Sequence, residues 1–252
     1  MYYTTRPRTD GFGAQFQNII IDILYTYNTT TNHYVFPNIT SFEHNYTNDP
    51  GFTIRLVRYM NLRGHFSMPS SDTIHNYSSI VSNYPYFENN ITQLLASPTM
   101  HLIKSLFYAD KTTPFDTTFY NVAVHVRRHN KEDSRIDGTN TPPEYYLNVI
   151  KYIRANHSAN EKPLQFHIYS QCKDQSDEMD LRQKFTNTDT EFHLNGDVLP
   201  TFHGMVFADA LVTSASSYSY CAAFLSNGVV YYKRFWHKPA NNWIVGDNIS
   251  SG

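Results

Sequence analysis

Between residues 121 and 234 the chain switches repeatedly between short apolar runs and segments with apolar residues at helical spacing, with only brief connections. This rhythm constrains the fold more than any other feature. A strand, a crossover helix and another strand in quick succession build a parallel sheet covered by helices. "NVAVHVR" (121–127), "QFHIYSQ" (165–171), "EFHL" (191–194), "ALVTSAS" (210–216) and "GVVYYKR" (228–234) read as strands. Between them, 142–156, 174–185, 200–209 and 217–227 read as helices, the first carrying Tyr146, Val149, Ile150 and Ile153 on one face. This half is expected to be a Rossmann-like layer.

The N-terminal half is less regular. "DGFGAQFQNIIIDILYTYN" reads as a glycine-bearing turn running into a helix, "HYVFPNI" (33–39) as a strand, and 91–108 as weakly helical. "YADKTTPFDTTF" (108–119) breaks periodicity around Pro114 and is the expected linker. The division expected is an acceptor-side α/β domain over 1–117 and a nucleotide-sugar-binding domain over 118–252.

Three segments carry candidate chemistry. Gly11 and Gly13, in a turn entering a helix, would let an anion approach backbone N–H groups, although a tight turn without any ligand uses the same residues. In "HVRRHN", Arg127 stands at a strand's carboxyl end, where ligands of parallel sheets gather. Its guanidinium suits phosphate oxygens. His125, two residues earlier, shares its side of the strand. An Arg–carboxylate pair beside a satisfied core histidine fits the same pattern. In "VTSASSYSY", hydroxyls at Thr213, Ser214, Ser216 and Ser217 precede a helix, making either an anion cradle or ordinary N-capping. Asp133 and Asp137 lie in the polar loop after the arginines and could act as a base, or simply be solvated.

Composition removes other classes. A net charge of −2 over 252 residues argues against non-specific nucleic-acid binding. There is no apolar run of about 18 residues, so no membrane span is expected, and the start lacks an apolar leader. Two cysteines, Cys172 and Cys221, make no disulfide framework. A cytoplasmic setting is the expectation. The 12 histidines show no familiar metal-ligand spacing, so no metal is expected.

In this order, "GFGAQFQ", "HVRRHNK" and "ADALVTSASSYSYCAAFL" resemble the motifs of the metal-independent fucosyltransferase superfamily, which includes the α-1,2-, α-1,6- and protein O-fucosyltransferases. The resemblance implies a GT-B-like α/β fold of two Rossmann-type domains, with parallel sheets facing a cleft that holds a GDP-fucose donor. It implies that Arg127 holds the donor's β-phosphate, that His125 lies beside the base, and that Ser216, Ser217 and Tyr218 contact the diphosphate. Tyr146, in "PPEYYL", matches a donor-binding tyrosine of the α-1,6 enzymes, and Lys131 matches the same subgroup.

The chain departs from that pattern at Ala14, Asn130, Gln171, Cys172 and Thr201, where the family carries Asn or acids; Asp197 is a nearby substitute for the last. The expected activity is therefore inverting transfer of a sugar, fucose first, from a nucleoside-diphosphate sugar to a hydroxyl of a glycan or glycoprotein, without a metal or other cofactor. Another donor such as UDP-xylose, or an inactive nucleotide-sugar-binding module, is the alternative.

Overall fold

The computed structural model describes residues 2–6, 8–68, 77–80 (backbone), 83–128, 141–158 and 161–249. The chain forms two compact units, Met1–Thr112 and Thr113–Gly252.

In the first unit, β1 (Tyr2–Thr5) leads into the long helix α1 (Phe12–Thr29), followed by β2 (His33–Tyr34), α2 (Phe52–Met60), β3 (Tyr77–Ile80), α3 (Tyr84–Leu95) and α4 (Pro98–Tyr108). The three strands run parallel in the order β2-β1-β3. α1 is the core of this unit, with Phe16, Ile19, Ile20, Ile23 and Leu24 almost wholly buried. Phe16 meets Phe107 of α4, which Tyr59 of α2 also touches edge-on. The helical reading of 91–108 resolves into two helices. Ser97 takes an extended conformation and its Oγ accepts from Met100 N at 3.2 Å, while Pro98 starts α4 where no N–H is needed. The strand expected over 33–39 is only two residues long: Val35 N still donates to Tyr3 O at 2.7 Å, but Phe36 N turns to Phe66 O at 2.7 Å, and Pro37 has no N–H with which to resume the ladder. β1, α2 and β3 were not evident from periodicity.

The second unit contains β4 (Tyr120–Val126), α5 (Pro143–Asn156), β5 (Leu164–Ser170), α6 (Gln175–Phe185), β6 (Thr190–Leu194), α7 (Val198–Phe207), β7 (Ala210–Val212), α8 (Ser217–Leu225), β8 (Val229–Tyr232) and β9 (Ile244–Val245). All six strands are parallel, in the order β6-β5-β4-β7-β8-β9. Every helix read in this half is present. Val122, Val124 and Val126 bury one face of β4 against Tyr146, Val149, Ile150 and Ile153 of α5 and Leu181 and Phe185 of α6. On β5, Gly204 of α7 comes down onto the Tyr169 ring, where any side chain at 204 would collide with the phenol. β7 stops at Val212, short of the expected 210–216: Thr213 N still donates to Tyr231 O at 2.9 Å, but Ser214 N turns to Ser219 Oγ at 3.2 Å and leaves the ladder. Both cysteines are buried and free. Among the described residues no helix is long and apolar enough to cross a membrane.

Candidate functional site

Counting the second unit's strands from β4, the order is 3-2-1-4-5-6, so the winding reverses between β4 and β7. Outside the carboxyl ends of two such strands the crossover connections diverge and leave a crevice, where parallel sheets bind ligands. β4 runs out at Val126 into Arg127 and Arg128, and β7 runs out at Val212 into Thr213 and Ser214. A helix that follows a parallel strand starts at that strand's carboxyl end, so α8 begins beside the same crevice with its N–H groups leading.

The two strand ends are tied together. Ser214 Oγ lies 2.9 Å from His125 Nδ1, and the backbone N of Ser214 donates to Ser219 Oγ at 3.2 Å. Thr213 Oγ1 accepts from Lys233 N at 2.9 Å. Thr141, just before α5, accepts from Ala215 N through Oγ1 at 3.3 Å. Ser216 caps α8 by accepting from Tyr218 N at 3.3 Å. The Tyr218 ring stands edge-on to His125 at 5.5 Å, and its hydroxyl donates to Val198 O. His125, Ser214 and Tyr218 thus meet at the end of β4, while Ser216 and Ser217 stand at the start of α8.

Burial pushes the His125 imidazole down to about 3, with the neighbouring Arg127 charge adding to the effect, so the ring is neutral at physiological pH. It can give or take a hydrogen bond but contributes no positive charge. The Tyr146 side chain is wholly enclosed, and burial raises its phenol to about 12. Its hydroxyl lies beside Thr141, the Arg127 backbone and Ser214, yet none of these completes a well-formed hydrogen bond to it. A buried hydroxyl in that position costs free energy unless something accepts or donates to it.

Arg128 turns to α6. Its guanidinium meets the Asp177 carboxylate, donates to Asp177 O at 3.0 Å, and reaches Asp180 Oδ2 at 2.9 Å. Arg127 Nη1 donates to Arg128 O at 3.4 Å and its charge acts on His125, so the two arginines serve different neighbours. Lys131, Asp133 and Asp137, like Asn130, lie outside the described residues.

Gly11 and Gly13 sit at the start of α1, in the first unit. The space that Gly11 was expected to leave for an anion is instead filled by His44, whose ring Cδ2 would be 2.8 Å from a Cβ at position 11. Gln15 secures the same turn by donating from Nε2 to Asp10 O at 2.7 Å and Ser41 O at 3.0 Å. The missing side chain at Gly11 is used for packing of the 41–44 segment, which no local sequence pattern announces.

Two features were missed in the sequence. Thr141 precedes a helix and looks like a cap, and only the fold brings it to Ala215. His167, Glu191 and His193 offer ligand atoms that all lie within 4.8 Å of one another. They come from two strands, so no linear spacing joins them; the alternation Glu191–His193 on β6 was the one visible trace.

No family model matches the chain, and no curated protein matches it. Among solved structures it is similar to E. coli heptosyltransferase WaaC with ADP, at 9% identity and a TM-score of 0.44, covering 97% of this chain and 92% of that one. WaaC with ADP-2-deoxy-2-fluoro heptose gives 11% identity, a TM-score of 0.46 and the same coverage. A mutant of Arabidopsis thaliana FUT1 in complex with GDP gives 12% identity and a TM-score of 0.42, covering 96% of this chain and 71% of that one.

Proposed function

We propose that the chain is a GT-B-like glycosyltransferase that moves a sugar from a nucleoside-diphosphate donor to a glycan hydroxyl. The observation that carries this reading is the meeting of two strand ends at the point where the strand order reverses. Arg127 follows β4, α8 begins just beyond β7, and His125–Ser214 links the two.

The chemistry needs that combination. As the acceptor oxygen attacks the anomeric carbon, the bond to the β-phosphate oxygen breaks and negative charge builds on the leaving diphosphate. A guanidinium and a helix N-terminus held in place before the reaction stabilise that charge without having to reorganise. Arg127 takes the β-phosphate, and Ser216, Ser217 and Tyr218 take the diphosphate from the α8 side; Tyr146, wholly enclosed, lies against the Arg127 backbone, Thr141 and Ser214 and positions them rather than touching the donor. Such a site needs no metal. The acceptor's proton goes to a carboxylate, for which Asp133 and Asp137 are the candidates, and attack from the face opposite the leaving group inverts the anomeric centre.

GDP-fucose is the first donor to try, on the strength of the three motifs. The departures at Asn130, Gln171, Cys172 and Thr201 make a second donor class such as UDP-xylose the alternative. An inactive nucleotide-sugar-binding module is the second alternative. A thermal-shift panel with GDP, UDP and their sugars separates these readings. One nucleotide at a hundred times its Kd should stabilise the protein by about 2.7 kcal/mol, raising Tm by roughly 5 to 10 °C. Release of nucleoside diphosphate with an acceptor distinguishes an enzyme from a binder. The absence of a shift with any of these ligands overturns the proposal.

A further inference from the structure

We infer that His167, Glu191 and His193 form a binding site for one zinc-class divalent cation, independent of the nucleotide crevice. The site lies on β5 and the edge strand β6, in the half of the sheet opposite β7. The parallel register places Glu191 beside His167 and His193 beside Tyr169. Residues two apart on a strand share a face, so the three side chains converge.

Hydrogen bonding decides which nitrogen of His167 is available. Asn121 donates both amide hydrogens of Nδ2, to Asp116 O at 2.9 Å and Phe119 O at 3.1 Å. Its Oδ1 is therefore the acceptor that faces His167 Nε2 at 2.9 Å. Nε2 must carry the proton, which leaves the lone pair on Nδ1. A histidine that donates one ring N–H to a fixed acceptor, with the other nitrogen turned to the metal, is the usual supporting arrangement of metal-binding imidazoles.

His167 Nδ1 lies 3.1 Å from His193 Nε2 and 3.5 Å from Glu191 Oε2, while His193 Nε2 lies 3.6 Å from Glu191 Oε1. Ligand atoms held tetrahedrally at about 2.0 to 2.1 Å from zinc are about 3.3 to 3.4 Å apart. The two nitrogens stand close to that edge, and Glu191 faces them with one carboxylate oxygen toward each, so it would bind through both oxygens or turn to present one of them. Both rings are held by packing: Phe115 lies 4.5 Å from His167, and Tyr169 stacks on His193 at 4.6 Å. Two imidazoles and a carboxylate select zinc or cobalt over magnesium and calcium, which prefer all-oxygen shells. The exposed side of Glu191 leaves a fourth position for water or an exogenous ligand.

The test uses the full chain, stripped with a chelator and titrated with Co2+ and then Zn2+. The expected result is one equivalent of Co2+ with the intense visible spectrum of a tetrahedral site, displaced by Zn2+ and not by Mg2+. His193→Ala and Glu191→Gln should each weaken zinc binding about tenfold or more with unchanged circular dichroism. Glu191 is exposed enough that its variant keeps the fold if His193→Ala does not. Failure of wild type to bind stoichiometrically, or Glu191→Gln binding zinc as wild type does, overturns the site and leaves a hydrogen-bonded histidine pair.

Discussion

Ser214 Oγ and His125 Nδ1, 89 residues apart in sequence, sit 2.9 Å apart at the ends of neighbouring parallel strands. This contact joins the end of β4 and the start of α8, the two segments to which the proposed function assigns the donor's diphosphate. The two adjacent arginines that follow β4 have separate neighbours. One stays beside the buried imidazole and lowers its proton affinity, and the other braces α6.

Arg127→Ala should reduce sugar transfer by about 100- to 1000-fold, the usual cost of removing a preorganised donor to a developing anion. Its thermal midpoint should stay within about 2 °C of wild type, because the residue is not part of the apolar core. Steady-state kinetics beside a melting curve check both halves. Near-normal turnover would remove Arg127 from the mechanism.

Arg128→Met should do the opposite. Loss of the contacts to Asp177 and Asp180 should lower Tm by roughly 2 to 6 °C, an effect that shrinks in high salt because Asp180 is exposed. The affinity for a nucleoside diphosphate should be retained. A variant that melts as wild type does but loses nucleotide binding would reverse the roles of the two arginines.

Tyr146→Phe separates function from stability at a single atom. The buried hydroxyl has no well-formed partner, so its removal should leave the unfolding free energy unchanged or raise it by up to about 1 kcal/mol. If the enclosed hydroxyl positions the Arg127 backbone and Ser214, affinity for the nucleotide sugar should fall about 3- to 10-fold. Calorimetric titration and urea unfolding of the same preparation give the two numbers. Marked destabilisation would mean that the hydroxyl is satisfied within the fold.

Asp22 gives the first unit a pH dependence. It is 3% exposed on α1, where Asn83 Nδ2 donates to its Oδ1 at 3.0 Å. Burial raises its carboxyl to about 7, against hydrogen bonds from Thr5 and Asn83 that lower it. Between about pH 4 and 7 the folded chain holds a proton there that the unfolded chain releases. The stability contributed by this protonation is fully present below about pH 4 and is lost as pH rises through 7. Asp22→Asn keeps the shape and removes the titration. At pH 8 it should be more stable than wild type by about 1 to 3 kcal/mol, with the difference closing toward pH 4. Parallel urea curves across that range would discount the effect.

Read alone, the residues already showed the alternation of strands and helices from 121 onward, the position of Arg127 at a strand end, and the hydroxyl-rich start of α8. These are local properties, written in spacings of two and of three to four residues. In the first unit the same periodicities are blurred, because α1 is buried on most of its surface and β2 has only two residues.

Strand order and register, and with them which side chains meet, came from the folded chain alone. The reversal between β4 and β7 brings Ser214 to His125. The register of β5 with β6 brings Glu191 and His193 to His167, and the path of the 41–44 segment puts His44 over Gly11. Each of these contacts spans 24 residues or more, or depends on a packing choice between distant segments. They are set by how apolar faces bury one another, a balance over the whole unit that no short stretch of residues records.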